Sequence, residues 1–430
     1  MSKEKELTRI NKGTANFNLV GRAKVSDFTC KRDVESSKSD WIYNQLNLGI
    51  ECGNDGIIYT DLMGGYGSER ENTVFVHGKD ENGKDDWKNT FKIDWEDREE
   101  EDILKTIGDQ CFITVGLEKD DKGKTIVKRF ITPYDAIAYI DEHLENDTIV
   151  NIKGNLTYQK YNDTWSIKKE LKSIFLSNAT EDKFKATFTQ TILVESDAIG
   201  KPDKENMVVP ITANIIEFQK EFNGQTVLNN EKYTSGKNKG KNKIGLNLPF
   251  AKEMYVKINE EDKDKTTRFL KQFKAKPKKV TEITVEGIFT KGALETEQID
   301  ENDIPDDIKE LIELGIIEKD EVIGKMAFAN GGSKPEMMII LKPQIKVIED
   351  QNGNKTPSLM KEKDKYNEDD INPLLIIEQF GKLEESEDNS NSYNDDVEND
   401  DDDDTADKLM EEDNGLEDED DEDDNWLDEL

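Results

Sequence analysis

Runs in which hydrophobic and polar residues alternate recur along the first 350 residues, and they predict strands more than helices. The clearest in the first half are 17–25 (FNLVGRAKV), 41–52 (WIYNQLNLGIEC), 73–78 (TVFVHG), 111–117 (CFITVGL) and 125–132 (TIVKRFIT). Turn pairs such as Asn82-Gly83 and Lys122-Gly123 separate them and suit hairpins. A helix is predicted over 133–144, opened by Pro133 and carrying Ile137, Ile140 and Leu144 on one face. Two strands follow, 148–158 (TIVNIKGNLTY) and 164–176 (TWSIKKELKSIFL).

The order then starts again. Strands are expected at 184–194, 207–218 and 244–250, a helix around 262–275, and a fourth strand at 280–290. That fourth strand aligns with 148–158, ITVEGIF beside VNIKGNL, each with an interior glycine, Gly287 and Gly154. A last strand pair is expected at 322–329 and 336–348, after an inserted helix at 305–314. Three strands, a helix and two strands, with glycines where a strand bends, is the pattern of the five-stranded OB-fold barrel.

The fold class read from the chain is therefore mainly β, with two tandem OB-fold-like barrels carrying inserted hairpins and short helices. The expected divisions are an N-terminal arm (1–14), a first barrel (15–180) with an insertion at 53–131, and a second barrel (181–350) with a basic loop. A connector (351–380) follows, whose apolar segment 372–380 would dock on the second barrel. Residues 381–430 would be a disordered acidic tail with an apolar tip.

Charge sharpens this division. The net charge of the 430 residues is −37, and 381–430 alone hold 26 Asp/Glu against Lys382 and Lys408. Against that trend, 232–279 holds 15 Lys/Arg and five Asp/Glu, a net of +10. Positive charge gathered against the trend of the chain is what a polyanion-binding surface requires. The phosphate contacts expected there are Lys237, Lys239, Lys241, Lys243, Arg268, Lys271 and Lys274, with Tyr233 for stacking; Phe269 and Phe273 would be the helix's core stripe. In the first half Tyr158, Tyr161 and Trp165 stand among Lys153, Lys160, Lys168 and Lys169. Aromatics with interleaved lysines suit single-stranded nucleic acid, because each base offers a face to stack on and each nucleotide a phosphate. Trp41, Tyr43, Trp87, Phe91 and Trp95 are further candidates, ranked below Tyr161 and Trp165.

Other chemistries find little. Cys30, Cys52 and Cys111 are odd in number and far apart, so neither a disulfide framework nor a zinc site is expected. The two histidines stand in unrelated contexts, and no nucleophile-elbow, phosphate-loop or dinucleotide motif occurs. No catalytic residue, metal or cofactor is expected. The charged N-terminus and the lack of a long apolar run predict neither signal peptide nor membrane span, hence a cytoplasmic protein.

Tandem barrels followed by Asp423-Asp424-Asn425-Trp426-Leu427-Asp428-Glu429-Leu430 resemble the phage and bacterial single-stranded DNA-binding proteins. The resemblance implies single-stranded DNA as ligand and a tail that competes with it. It also implies Trp426, Leu427 and Leu430 as anchors for replication or recombination proteins. The Pro-Phe ending of the bacterial tip is absent, and two barrels with a large insertion exceed the simple one-barrel form. If phage-encoded, the protein would work in the bacterial host's cytoplasm. Two alternatives stand beside this reading: an acidic nucleic-acid mimic or chaperone acting through its tail, and an RNA-binding OB protein.

Overall fold

A computed structural model describes residues 7–385, apart from 162–163, 205, 235–237, 260, 292–308, 310–335 and 350–354. The expected tail beyond 385 with Trp426, Leu427 and Leu430, the strand at 322–329, the helix at 305–314 (Lys309 apart) and Lys237 lie outside the described residues.

The first barrel is built from β1 (Ala15–Lys24), β3 (Trp41–Glu51), β4 (Ile57–Gly67), β9 (Ile149–Tyr161) and β10 (Thr164–Leu176). β1 pairs β3, β3 pairs β4, β4 meets β10 in parallel at Asp61 and Glu170, β10 pairs β9, and β9 returns to β1. That closed circuit is the strand order of an OB-fold. β2 (Cys30–Glu35) extends it beside β3. Helix α2 (Pro133–His143) precedes β9; Thr132 caps it by accepting the Asp135 N–H, and Ala136, Ile137 and Ile140 are its buried face. Between β4 and α2 stand the hairpin of β5 (Thr73–Lys79) and β6 (Asp85–Asp94), a turn of helix α1 (Glu101–Leu104), and the hairpin of β7 (Ile113–Lys119) and β8 (Thr125–Phe130).

The second barrel repeats the circuit with β11 (Lys185–Val194), β12 (Val208–Gln219), β16 (Leu246–Lys257), β17 (Lys279–Lys291) and β18 (Glu336–Pro343). Helix α3 (Lys263–Leu270) precedes β17. The repeat extends to detail. Lys172 is bulged out of β10 opposite Gly154, and Leu341 is bulged out of β18 opposite Gly287. A Cβ at Gly154 would strike the Glu170 carbonyl and the Phe17 ring; one at Gly287 would strike the Ile339 carbonyl and the Phe188 ring. Glycine at these two places lets the strand cross close to its neighbour. The barrels join edge to edge where β1 and β11 pair in antiparallel, with Phe17 directly opposite Phe188. One apolar core runs through both.

Two expectations need correction, and a third gains detail. The third strand of the first barrel is β4, inside the stretch expected to be an insertion. Its run of Gly64, Gly65 and Gly67 masked the strand pattern, and it holds its place through pairing with β3 along its length. The basic loop of the second half is the tip of an arm between β12 and β16: β13 (Glu221–Phe222), β14 (Gln225–Lys232) and β15 (Asn242–Ile244). Finally, the tail does not start at Gly381. After β19 (Ile345–Glu349), β20 (Lys355–Leu359) and β21 (Lys361–Asn367) comes α4 (Pro373–Phe380), and then β22 (Gly381–Glu385) pairs with β14.

Helix α4 buries Ile376 and Ile377 against Ile216, Leu246 and Leu248 of the second barrel and Val227 of the arm. The N-terminal segment clasps this helix and the turn before it, the Leu7 N–H donating to Gln379 Oε1 of α4 at 2.9 Å and the Thr8 N–H to Asp370 Oδ1 of the turn at 2.8 Å.

Candidate nucleic-acid interface

In a strand side chains alternate between faces, so the inward residues of β3 and β4 define the outward ones. Leu46, Leu48, Ile58 and Leu62 fill the first barrel. That leaves Trp41, Tyr43, Gln45 and Asn47 of β3, with Tyr59, Asp61 and Met63 of β4, on the outer face. Trp41 and Tyr43 stack with ring centroids 4.7 Å apart. Tyr59, 48% exposed, lies across from Gly49, whose missing side chain gives the ring a flat bed. Met63 sits beside Gln45, and Asn47 and Asp61 form a polar strip between the aromatic ends. Lys31 of β2 is exposed opposite Gln45 and has no acidic partner among the described residues. Phe28, 82% exposed, projects from the loop before β2. In OB barrels this two-strand face and its flanking loops are the ones that take oligonucleotides.

The corresponding face of the second barrel is different. Pro210 faces Tyr255 and Thr212 faces Glu253, and the Tyr255 hydroxyl donates to the Glu253 carboxylate. Glu195 accepts from Asn214 at 2.9 Å, and burial pushes its carboxyl above the usual range. The other end is covered by α4 and the N-terminal segment. Among the described residues that face carries no stacked aromatic pair.

The residues singled out from sequence have several fates. Tyr158 is only 4% exposed: its hydroxyl donates to Gln190 at 3.0 Å, its N–H donates to Glu217 at 3.1 Å, and burial raises its phenol. It has no face for a base. Trp165 is half-buried, stacked on Phe250 of the second barrel at 3.9 Å. Lys169 is 5% exposed, paired with Glu336 at 2.6 Å and set over the Phe289 ring, so it has no charge to spare for phosphate. Nearby Lys252 is held below the usual ammonium range by burial. This side of the β9–β10 hairpin is a clasp between the barrels. Lys153 and Lys160 are exposed and Lys168 is half-buried; Tyr161 pairs by backbone with Thr164.

In the basic stretch, Lys239 and Lys241 are exposed on the arm's tip, where the Tyr233 N–H donates to the Lys241 carbonyl. Tyr233 is half-buried, and Lys243 stands 3.8 Å from Glu231. Arg268 and Lys271 are exposed on and after α3, and Lys274 is half-buried. Phe273 is fully buried and meets Phe269 edge-on, as the core-stripe reading expects. The arm enters β16 at Leu246 and α3 follows its other end at Lys257, so about 35 Å of strand separates the two lysine groups. They are two surfaces, not one. Sequence reasoning missed Tyr59 and Lys31 and ranked Trp41 low; the signal available was alternation along 57–63, set against the inward Ile58 and Leu62.

Among the described residues no group of three or more His, Cys, Asp or Glu could hold a metal ion, and no helix is long and apolar enough to cross a membrane. Geometry thus defines a tandem OB-fold protein whose first barrel turns Trp41, Tyr43 and Tyr59 outward. Compared with known proteins, no family model and no curated protein matches the chain. Two solved structures of the single-stranded DNA binding protein from Thermus aquaticus are similar to it. A deletion mutant matches at 10% identity over 69% of this chain and 98% of that one, with a TM-score of 0.26. The wild type matches at 8% identity over 66% and 92%, also at 0.26. Such a score does not put two chains in one frame, so the interface stands on this chain's own geometry.

Proposed function

We propose that the protein binds single-stranded nucleic acid, DNA in the first instance, without catalysis, across the outer face of β2, β3 and β4. The observation that carries this is the outward set of half-buried Trp41 and Tyr43 and exposed Tyr59 on the two barrel strands, edged by Lys31. Bases stack on such a face whatever their sequence, and lysines take the phosphates. Lys153 and Lys168 extend the positive edge round the barrel. The exposed lysines of the arm and of α3 would engage further lengths of strand. In this reading the acidic segment 386–430 competes for the same lysines and presents Trp426, Leu427 and Leu430 to replication, recombination or repair proteins in the cytoplasm.

The test is a titration of oligo-dT and oligo-U at two salt concentrations, with the intact chain and with one ending at Glu385, which keeps β22 in place. Tryptophan quenching and affinity that falls steeply with salt are expected, with tighter binding by the shorter chain. No measurable affinity of either chain at low salt overturns the proposal. Tighter binding of oligo-U than of oligo-dT makes RNA the ligand.

A further inference from the structure

Where β1 and β11 join the barrels, the outer surface dips into an open groove of about 350 Å³. Cavities that hold small ligands start at about 300 Å³, so there is room for one nucleotide. The floor is amide and hydroxyl: Asn18 of β1, Asn155 of β9, and Thr187 and Thr189 of β11. Lys153 and Lys172 stand on one rim. Lys153 has no acidic partner among the described residues, whereas Lys172 pairs with Glu170 at 2.7 Å. The Asn18 side-chain oxygen is buried without a hydrogen-bond partner, the one such side-chain atom among the described residues. A buried polar group left unpaired is costly. It also means that no internal bond fixes the amide's orientation, so Asn18 can turn either its oxygen or its NH₂ to a ligand.

The groove lies round the first barrel from the aromatic face. Round the first barrel the strands run β3, β4, β10, β9, β1, with Asp61 of β4 beside Glu170 of β10 and Lys153 of β9 beside Asn18 of β1. The pairing runs Asp61, Glu170, Asn155, Asn16, so Asn18 lies three strand spacings across from Tyr59 and four residues further along, about 19 Å away. The groove is also one-sided. The repeat relating the barrels puts Glu286 where Lys153 stands and Leu341 where Lys172 stands. Among the described residues lining the groove, the lysines come from the first barrel alone.

We propose that this groove is a nucleotide subsite for the strand leaving the aromatic face, with phosphate on Lys153 and Lys172 and the base edge on the Asn18 amide. It rests on the single-strand reading above and adds a defined path and direction to it. An amide free to donate or accept makes the subsite tolerant of any base.

The experiment uses the intact chain, Lys153→Ala and Asn18→Ala, each checked by thermal melting, with dT oligonucleotides of the shortest saturating length. One set carries a single abasic position moved along the strand. Lys153→Ala should lower the salt dependence by about one counterion and the affinity several-fold. In the wild type an abasic position over the groove should cost about five-fold, one hydrogen bond's worth; in Asn18→Ala that one penalty should vanish while the others stay. Wild-type behaviour of both variants at every position overturns the subsite and leaves the aromatic face standing. Absence of binding by the wild type overturns the parent reading itself. A wild-type dimer in gel filtration that Lys153→Ala dissociates assigns the groove to self-association and overturns the proposal.

Discussion

The two barrels share their strand circuit, their bulge and the phenylalanine that packs against a strand glycine, yet their outer faces have little in common. The first turns half-buried Trp41 and Tyr43 and exposed Tyr59 outward; the second pairs Glu253 with Tyr255 and lies under α4 and the N-terminal segment. What closes a barrel is set by close packing, where one methyl group too many is felt. What faces outward is not so bound, and there the halves diverge. One barrel offers a surface, while the other receives the chain's own ends and anchors the clasp of Trp165 and Lys169.

The strongest way to break this contrast is to strip the aromatic face. The triple change Trp41→Ala, Tyr43→Ala, Tyr59→Ala should weaken oligo-dT binding by about 100-fold or more, since each stacked base contributes about 1–3 kcal/mol. Tyr255→Ala on the second barrel should change it less than about two-fold; anisotropy titrations compare them. An equal loss from Tyr255→Ala would erase the asymmetry.

Next comes the clasp. Lys169→Ala leaves the Glu336 carboxylate without its partner between the barrels, and unfolding in urea should show a loss of about 3 kcal/mol. DNA affinity of the folded fraction should hardly move, because Lys169 holds a carboxylate rather than a phosphate. The glycines test the shared half of the comparison. Gly154→Ala and Gly287→Ala should each cost about 1–3 kcal/mol, by similar amounts, from overpacking against a phenylalanine and a neighbouring carbonyl. A cost at only one site would mean that the barrels close by different contacts.

The smallest effect concerns thiols. All three cysteines belong to the first half, and burial pushes the Cys52 thiol up to about 12. At pH 8 Cys52 should react with a thiol reagent only as fast as the first barrel opens. Its rate should be unchanged by substitutions confined to the arm of the second barrel. Prompt labelling of the native chain would show that barrel to be open.

Much of the fold was legible because it lies in period-two patterns: the paired halves, the helices before each fourth strand, and Gly154 matched with Gly287. β4 was hidden by its glycines, and β22 by a composition that merges into the acidic tail. Site residues were harder. Tyr158, Trp165 and Lys169 look like a binding cluster in a line of text, and alternation shows that Tyr158 shares one face of its strand with Leu156 and Gly154. It does not show that this face continues onto a second barrel. Trp41 lay among the named aromatics but could not be preferred until its stacking on Tyr43 was seen. The +10 stretch was real as composition and misleading as geometry, since β16 parts its two lysine groups.

By itself, then, the sequence determined a mainly β chain of two like halves, with a lysine-rich stretch and an acidic end, because periodicity, turn chemistry and charge are local properties. Which aromatics are buried, which lysines are already neutralised, and which barrel keeps an open face were decided by the tertiary structure. Those depend on the partner that each segment meets in the fold, and such partners here are as much as 372 residues away in the chain, as Leu7 and Gln379 are.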